Sequence, residues 1–219
     1  MARSTKEEAL ETRNRILDAA ENVFHAQGVA QTSLAEVAQA ANVTRGAIYW
    51  HFRNKSDLFD AMCERVRLPM EAMVEAGAGD DETDPLGKLR NTCVFALREA
   101  AQNPHSRKVF DIIFHKCEFV DENDPIVVRQ RECYLQGMAN IERILRHAIA
   151  REQLPADLDI RLACVTLHAA MAGLLGNWLF APDSFDLGGN AEKLIDACLD
   201  TLRYAPSLRK PAARASSRS

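Results

Sequence analysis

Three times in this chain a capping residue stands directly before a proline: Asp84-Pro85, Asn103-Pro104 and Asp124-Pro125. An Asp or Asn side chain accepts from the free N–H groups of a helix start. Proline is tolerated at the first helical position, where its missing N–H has no intrahelical partner in any case. Each pair therefore predicts a helix start, and the residues around them agree. After Asp124-Pro125 the side chains Val127, Tyr134, Met138, Ile141, Leu145 and Ala148 follow at spacings of 7, 4, 3, 4 and 3, a helical repeat. Ile16, Ala20 and Phe24 mark one face of an earlier helix that Gly28 is placed to end. Pro155 and Pro182 bracket another helix, and a last one is expected over 191–204. Pro69 falls inside a helical pattern and is expected to kink or break it. No window alternates long enough to force a strand, and there is no internal repeat or Gly-rich phosphate loop. Glycine and proline together are 18 of 219 residues, about 8%, below the usual ~12%. The expected fold class is all-α.

Composition narrows what such a helical chain can do. Lys and Arg number 27 against 31 Asp and Glu, a net charge of −4. That excludes a protein that coats nucleic acid by bulk charge but leaves room for a small basic face. The N-terminus MARSTKEEALETR has no apolar run, so no signal peptide is expected. Residues 162–182 carry no formal charge over 21 positions, close to the ~20 that a membrane span requires. With Thr166, His168, Asn177, many alanines and a terminal proline, the stretch is read as a helix buried on several faces of a soluble assembly, with no membrane as partner. The six cysteines (63, 93, 117, 133, 164, 198) form no CxxC pair, so no metal or cofactor is expected, and a reducing cytoplasm suits them. His115 and Cys117, two residues apart, point about 200° away from each other on a helix. Asp80-Asp81 reads as a solvated loop. No nucleophile–base pair is visible, and no enzyme is expected.

Charge also divides the chain. Residues 1–56 carry a net +1 and residues 57–219 a net −5, and between Glu36 and Asp57 there is no acid at all, only Arg45, Arg53 and Lys55, with His51. A first domain over 1–56, a second over 57–207 and a disordered basic tail over 208–219 are expected. Inside the acid-free window, 32–52 reads TSLAEVAQAANVTRGAIYWHF. Ser33 and Glu36 have capping-box spacing, and Leu34, Val37, Ala38 and Ala41 share one face. Asn42 and Val43 form a turn, and Thr44 is a good N-cap for a second short helix with Ala47, Ile48 and Phe52 inward. Two short helices so joined are a helix-turn-helix, with the motif over 33–52.

The second helix has the chemistry of a DNA reader. Thr44 offers a hydroxyl at a helix start, where phosphate binds well. Arg45 has the planar fork that pairs with guanine O6 and N7. Gly46 lets backbone approach the groove, Tyr49 and His51 can donate to flanking phosphates, and Lys55 adds a cationic clamp at the next helix. Trp50 is read as a packing residue. Phosphate contacts position and base contacts specify; Arg45 is the candidate for the second role.

The segment Thr12–Phe59, and above all the run VTRGAIYWHFRNKSDLF, resembles the DNA-binding domain of the TetR family of transcriptional repressors. FHKCEF at 114–119, REQLPADLD at 151–159 and NWLFAPDSFDL at 177–187 resemble the AcrR/TtgR-like subgroup, which represses multidrug efflux pump operons. The resemblance implies about nine helices. The first three form the helix-turn-helix domain, and the rest form a ligand-binding and dimerisation domain. It implies double-stranded operator DNA, a hydrophobic small-molecule inducer and a second copy of the chain as partners. Ser33, Thr44, Arg45, Gly46, Tyr49, His51 and Lys55 carry over to the DNA-binding set, joined by Arg3 and Lys6 of the N-terminal arm. The last two helices are expected to form a four-helix dimer interface, with Ala169, Gly173 and Gly176 allowing close approach and Leu194, Leu199 and Leu202 supplying apolar surface. A ligand cavity is expected in the helical body, with Phe110, Phe114, Cys117, Met138, His168, Met171, Leu175 and Trp178 as wall. The implied action is repression of an efflux operon from a palindromic operator, relieved by a drug-like ligand. The residues leave open a regulator of a metabolic operon or an activator.

Overall fold

The computed structural model describes residues 4–77, 79, 82–118 and 121–211. Among them are nine α-helices: α1 (Ser4–Gln27), α2 (Leu34–Ala40), α3 (Arg45–His51), α4 (Lys55–Gly77), α5 (Pro85–Gln102), α6 (Pro104–His115), α7 (Pro125–Ala150), α8 (Ile160–Phe180) and α9 (Leu187–Tyr204). Two 3-10 turns, Pro182–Ser184 and Pro206–Leu208, follow α8 and α9. No strand occurs among the described residues; Leu158 and Arg209 form one isolated bridge.

The helix ends follow the capping chemistry. Asp84 accepts from the Gly87 N–H at 2.9 Å, Asn103 from His105 at 3.0 Å, and Asp124 from Ile126 at 2.7 Å, each with proline at the start of the helix. α1 stops where Gly28 takes φ +84°, a left-handed conformation that costs glycine nothing. α4, by contrast, runs through Pro69 without a break. A single proline removes one i→i−4 hydrogen bond, and here the packing of Met62 and Val66 before it and Met70 and Val74 after it holds the helix on the core.

α1–α3 pack around Ile16, Ala20, Phe24, Leu34, Val37, Ile48 and Phe52, all buried. The core continues into the body without a gap through Leu58, Phe59, Met62 and Val66 of α4, and the Phe59 ring stands edge-on to Phe24 at 6.0 Å. The chain near 208, expected to begin the unstructured tail, is held. Leu208 is buried, the Lys210 N–H donates to the Asp157 carbonyl at 2.7 Å, and Arg209 donates to the Leu202 and Arg203 carbonyls at the end of α9. A buried leucine and freed helix-end carbonyls outweigh the basic, small-residue composition there. Residues 212–219 of the tail lie outside the described residues.

α8 is long and apolar enough to cross a membrane by length and composition alone. Its buried side, including Cys164, Leu167, Leu175 and Trp178, packs into the body. Its other side leaves Leu162, Val165 and Phe180 exposed, with Ala169 and Gly173 between them.

Candidate nucleic-acid interface and ligand cavity

The helix-turn-helix is built from local chemistry. At the start of α2 the Ser33 backbone N–H donates to Glu36 Oε2 at 2.8 Å, and the Glu36 N–H donates back to Ser33 Oγ at 3.3 Å, completing the capping box. The turn is made by Asn42, whose φ of 53° is left-handed; asparagine is among the few non-glycine residues that enter this region routinely. Val43 then donates to the Ala38 carbonyl at 3.0 Å, which closes α2 and aims α3. At α3 the Ala47 N–H donates to Thr44 Oγ1 at 3.1 Å. The first-turn N–H groups behind it have no intrahelical acceptor.

Ile48 and Phe52 anchor α3, so the opposite face projects outward. Thr44, Arg45, Gly46, Tyr49 and Trp50 are exposed. A Cβ built on Gly46 meets nothing closer than Thr44 Oγ1 at 3.9 Å. Space inside the protein therefore does not demand a glycine, whereas close approach from outside would use one. The Arg45 guanidinium lies 6.0 Å from the Tyr49 ring centroid. Trp50, read from sequence as packing, is 73% exposed and stands edge-on to His51 at 4.6 Å. With Ile48 and Phe52 filling the inward positions, the helix turns position 50 away from the core. Burial, and secondarily the charge of Arg13, hold the His51 imidazole below its usual value. It therefore offers a neutral N–H and not a cation near pH 7. Arg13, which sequence reasoning passed over, sits over the Phe52 ring at 5.2 Å.

The remaining expected contacts divide. Lys6 is exposed on α1; Arg3 lies outside the described residues. Lys55 begins α4, as expected, but its ammonium donates to the Val29 and Ala30 carbonyls at 2.8 and 2.9 Å.

The body holds a cavity of about 400 Å³ between α4, α5, α6, α7 and α8. Val66, Met70, Val74, Leu89, Phe110, Ile113, Leu167 and Met171 form an apolar wall, while Gln130, Gln136, Asn140 and His168 bring polar groups along α7 and α8. Arg67 is also among the lining residues, its guanidinium 2.9 Å from Glu71, 3.5 Å from Glu64 and 3.7 Å from Asp60. Three acids around one cation leave no net positive charge to attract an anion. Burial depresses the His168 imidazole, so it too is neutral, and the Tyr134 ring lies edge-on to it at 4.8 Å. Burial pushes the Cys93 thiol up to about 12 and raises Cys63 as well; both line the cavity as thiols, apolar and unreactive.

Of the eight residues expected in the wall, Phe110, His168 and Met171 line this cavity; Phe114, Cys117, Met138, Leu175 and Trp178 do not. Trp178 is buried with the Arg107 guanidinium 4.3 Å from its ring. A Cβ on Gly176 would meet Phe114 at 3.3 Å, so Gly176 serves contact within the chain. Leu175 is buried in the core, Met138 packs against it, and Cys117 sits in a crevice beside Lys55. The apolar stripe of α8 is continuous, but the gap opens only beside its Leu167–Met171 turn. On the expected interface, Leu199 and Leu202 are buried inside the chain and unavailable to a second copy, Leu194 is partly buried, and Ala169 and Gly173 remain exposed.

One group of metal-ligating atoms lies close together among the described residues, from Asp18, Glu21 and His105. The Arg65 guanidinium already bridges Asp18 and Glu21 at 2.6 and 2.8 Å, which makes the group an ion-pair cluster between α1, α4 and α6.

A short capped helix presenting Arg, Tyr and Trp, beside a body whose described residues are helical and line a largely apolar, partly open cavity, defines a one-component DNA-binding regulator. Residues 16–62 match the bacterial regulatory proteins of the tetR family, and residues 84–204 match the C-terminal region of MAATS-type transcriptional repressors; the chain belongs to the TetR family. It is 43% identical over 210 residues to the probable HTH-type transcriptional regulator ArpR of Pseudomonas putida, covering 96% of this chain and all of that one. The crystal structure of NalD, the secondary repressor of the MexAB-OprM multidrug efflux pump in Pseudomonas aeruginosa, superposes with a TM-score of 0.79 at 35% identity over 91% of this chain and 100% of that one. A triclosan complex of SmeT, the repressor of the Stenotrophomonas maltophilia pump SmeDEF, gives 0.80 at 31% identity over 93% and 96%.

Proposed function

We propose that this chain is a cytoplasmic, ligand-responsive repressor of a multidrug efflux pump operon, binding a palindromic operator as a homodimer. The observation that carries this reading is the outward face of α3, where Thr44, Arg45, Gly46, Tyr49 and Trp50 are exposed in a stretch without a single acid. Arg45 reads a base edge, and Thr44, Tyr49 and His51 hold flanking phosphates, with Lys6 and Arg3 of the arm as further contacts. Ser33 contributes by fixing the start of α2.

One α3 reads only a few base pairs, so specificity requires two copies about 34–36 Å apart in successive major grooves. The exposed stripe Leu162, Val165, Ala169, Gly173 and Phe180 on α8 supplies an apolar surface for the second copy, and its small residues permit close helix approach. The repressors NalD and SmeT, and the triclosan bound to SmeT, support an efflux operon as target and a hydrophobic inducer as ligand. The cavity suits that ligand: apolar on one wall, amide and imidazole on the other, and without net positive charge.

A ligand shifts operator affinity only by its unequal affinity for the two body conformations, and a coupling of about 1–3 kcal/mol changes operator affinity roughly 5–150-fold. Footprinting on the DNA upstream of the chain's own gene and of neighbouring transporter genes, with and without triclosan as probe, tests the reading. Protection of one palindrome, lost on adding the probe, is the expected result; absence of any protected site overturns it.

A further inference from the structure

Each charged, amide or hydroxyl side chain lining the body cavity has a partner, and the one imidazole there has none. Asp60 meets Arg129 at 3.1 Å, and Glu71 meets Arg67 at 2.9 Å. The Thr92 hydroxyl donates to the Lys88 carbonyl at 3.0 Å. Gln136 donates to Asn140 Oδ1 at 3.1 Å, and Gln130 aims its amide at the Cys63 sulfur, 3.8 Å away. The His168 ring makes no hydrogen bond or ion pair with the described residues; it has only the Tyr134 ring edge-on at 4.8 Å.

The ring is half-buried, and burial keeps it neutral. A neutral imidazole has one nitrogen that donates and one that accepts. When an apolar ligand expels the water around it, an unmatched nitrogen costs the desolvation of a polar group. A ligand hydroxyl removes that cost by donating to the accepting nitrogen. Arg67 Nε also lacks a partner, but it is fully covered, whereas His168 borders the open space. A Cβ on Gly137, across the cavity on α7, would meet nothing within 4 Å, so there is room beside the ring. A charged ligand finds no free counter-charge, because Asp60, Arg67 and Glu71 already face their opposites.

We propose that His168 is a specificity-determining residue of this cavity: its ring accepts the hydroxyl proton of a neutral, otherwise apolar ligand, so that the site selects such hydroxylated compounds over their O-alkylated counterparts. The proposal rests on the cavity being the ligand site, as read above, and on nothing about the operator.

Triclosan is a phenol, and its O-methyl ether keeps the same rings without the donor. Calorimetric titration of both into the full chain at pH 7 compares them directly. The parent chain is expected to bind the phenol about tenfold more tightly than the ether. His168→Leu is expected to erase that preference, and His168→Gln, which keeps an acceptor, to retain part of it. The three chains and two ligands form a cycle from which crowding by the added methyl cancels, because a steric penalty persists in every chain. Equal binding of phenol and ether by the parent chain, or a preference that survives undiminished in His168→Leu, overturns the proposal and leaves the cavity as the ligand site. Binding of neither compound overturns the cavity reading itself, and the proposal with it. If His168→Leu does not fold, the imidazole nitrogen resonances of the parent chain decide. The phenol is expected to shift the accepting nitrogen of His168 and the ether to leave it in place; the same spectrum with both overturns the assignment.

Discussion

The DNA-binding motif and the ligand cavity are both made by helices, yet they are assembled on different length scales. The motif is local. Its capping box spans Ser33 to Glu36, its turn is one left-handed asparagine, and its exposed face lies within Thr44–Trp50. The cavity is collective, drawn from five helices between Asp60 and Met171. A site of the first kind is specified by which residue follows which. A site of the second kind is specified by where packing fails to close, and that depends on side chains a hundred positions apart. The two sites should therefore respond separately to mutation.

The largest expected separation is at Arg45. A bidentate base contact is worth about 1–3 kcal/mol, and a dimer presents it twice. Arg45→Ala is expected to weaken operator binding more than ~30-fold in gel-shift titrations, with dimer content and triclosan binding unchanged. If ligand binding falls in parallel, the two sites are not independent.

What joins them is more sensitive to stability than to chemistry. Glu21 of α1 is 1% exposed and is held by Arg65 of α4 at 2.8 Å and by His105 of α6 at 2.8 Å. Removing one partner of a buried charge is costly, up to 3–5 kcal/mol. The Arg65 side chain is 28% exposed, so water screens part of that cost. Arg65→Met is expected to destabilise the chain by roughly 2 kcal/mol, lowering Tm by about 4–8 °C for a protein of this size. A change below 1 °C in calorimetry means that His105 alone satisfies the carboxylate.

The next contrast lies within the body, between adjacent turns of α8. Met171 faces the cavity, whereas Leu175, one turn on, is buried against packed neighbours. Met171→Trp is expected to fill space a ligand needs, reducing triclosan affinity about tenfold with little loss of stability. Leu175→Trp is expected to cost about 1–3 kcal/mol by overpacking and to leave the affinity of the folded protein nearly unchanged. Calorimetric titration and thermal melts on the pair distinguish the two turns; exchanged outcomes move the cavity one turn along α8.

This contrast also shows what the sequence discloses. The three proline starts, the capping box and the outward placement of Thr44, Arg45 and Tyr49 follow from neighbours within four residues and are legible in the letters, whereas the helix count, nine among the described residues, is what the family resemblance implies. Trp50 is the exception: a large indole favours burial, which is the reading its size invites, but the inward positions Ala47, Ile48 and Phe52 already set a helix phase that turns position 50 outward. Leu175 and Trp178 continue the apolar stripe of Leu167 and Met171, and nothing in the stripe tells which turn meets a gap. The amides Gln130, Gln136 and Asn140 recur on one side of α7. They are a clue to a polar side of the cavity, and an amphipathic reading that counts only apolar positions discards them. The hydrogen bonds of the Lys55 ammonium are the least legible, because their acceptors, the Val29 and Ala30 carbonyls, lie 26 and 25 positions away.

The smallest effect concerns protons and falls on both sites with the same sign. Burial depresses His168 in the cavity wall; burial and then the charge of Arg13 depress His51 on α3. The unfolded chain takes up a proton on each imidazole near the ordinary value of about 6.5, while the folded chain does so only at lower pH. Between those points the unfolded state binds more protons, so stability falls as pH drops and recovers as it rises. Above the ordinary value both states are neutral and the dependence vanishes. His168→Gln is expected to flatten the decline in Tm between pH 7 and 5 without changing the melt at pH 8. His51→Gln is expected to flatten it less, because that ring is closer to water. A His51 variant that removes more of the pH dependence than the His168 variant would mean that the charge of Arg13, and not burial, is what holds the imidazole of the DNA-binding helix neutral.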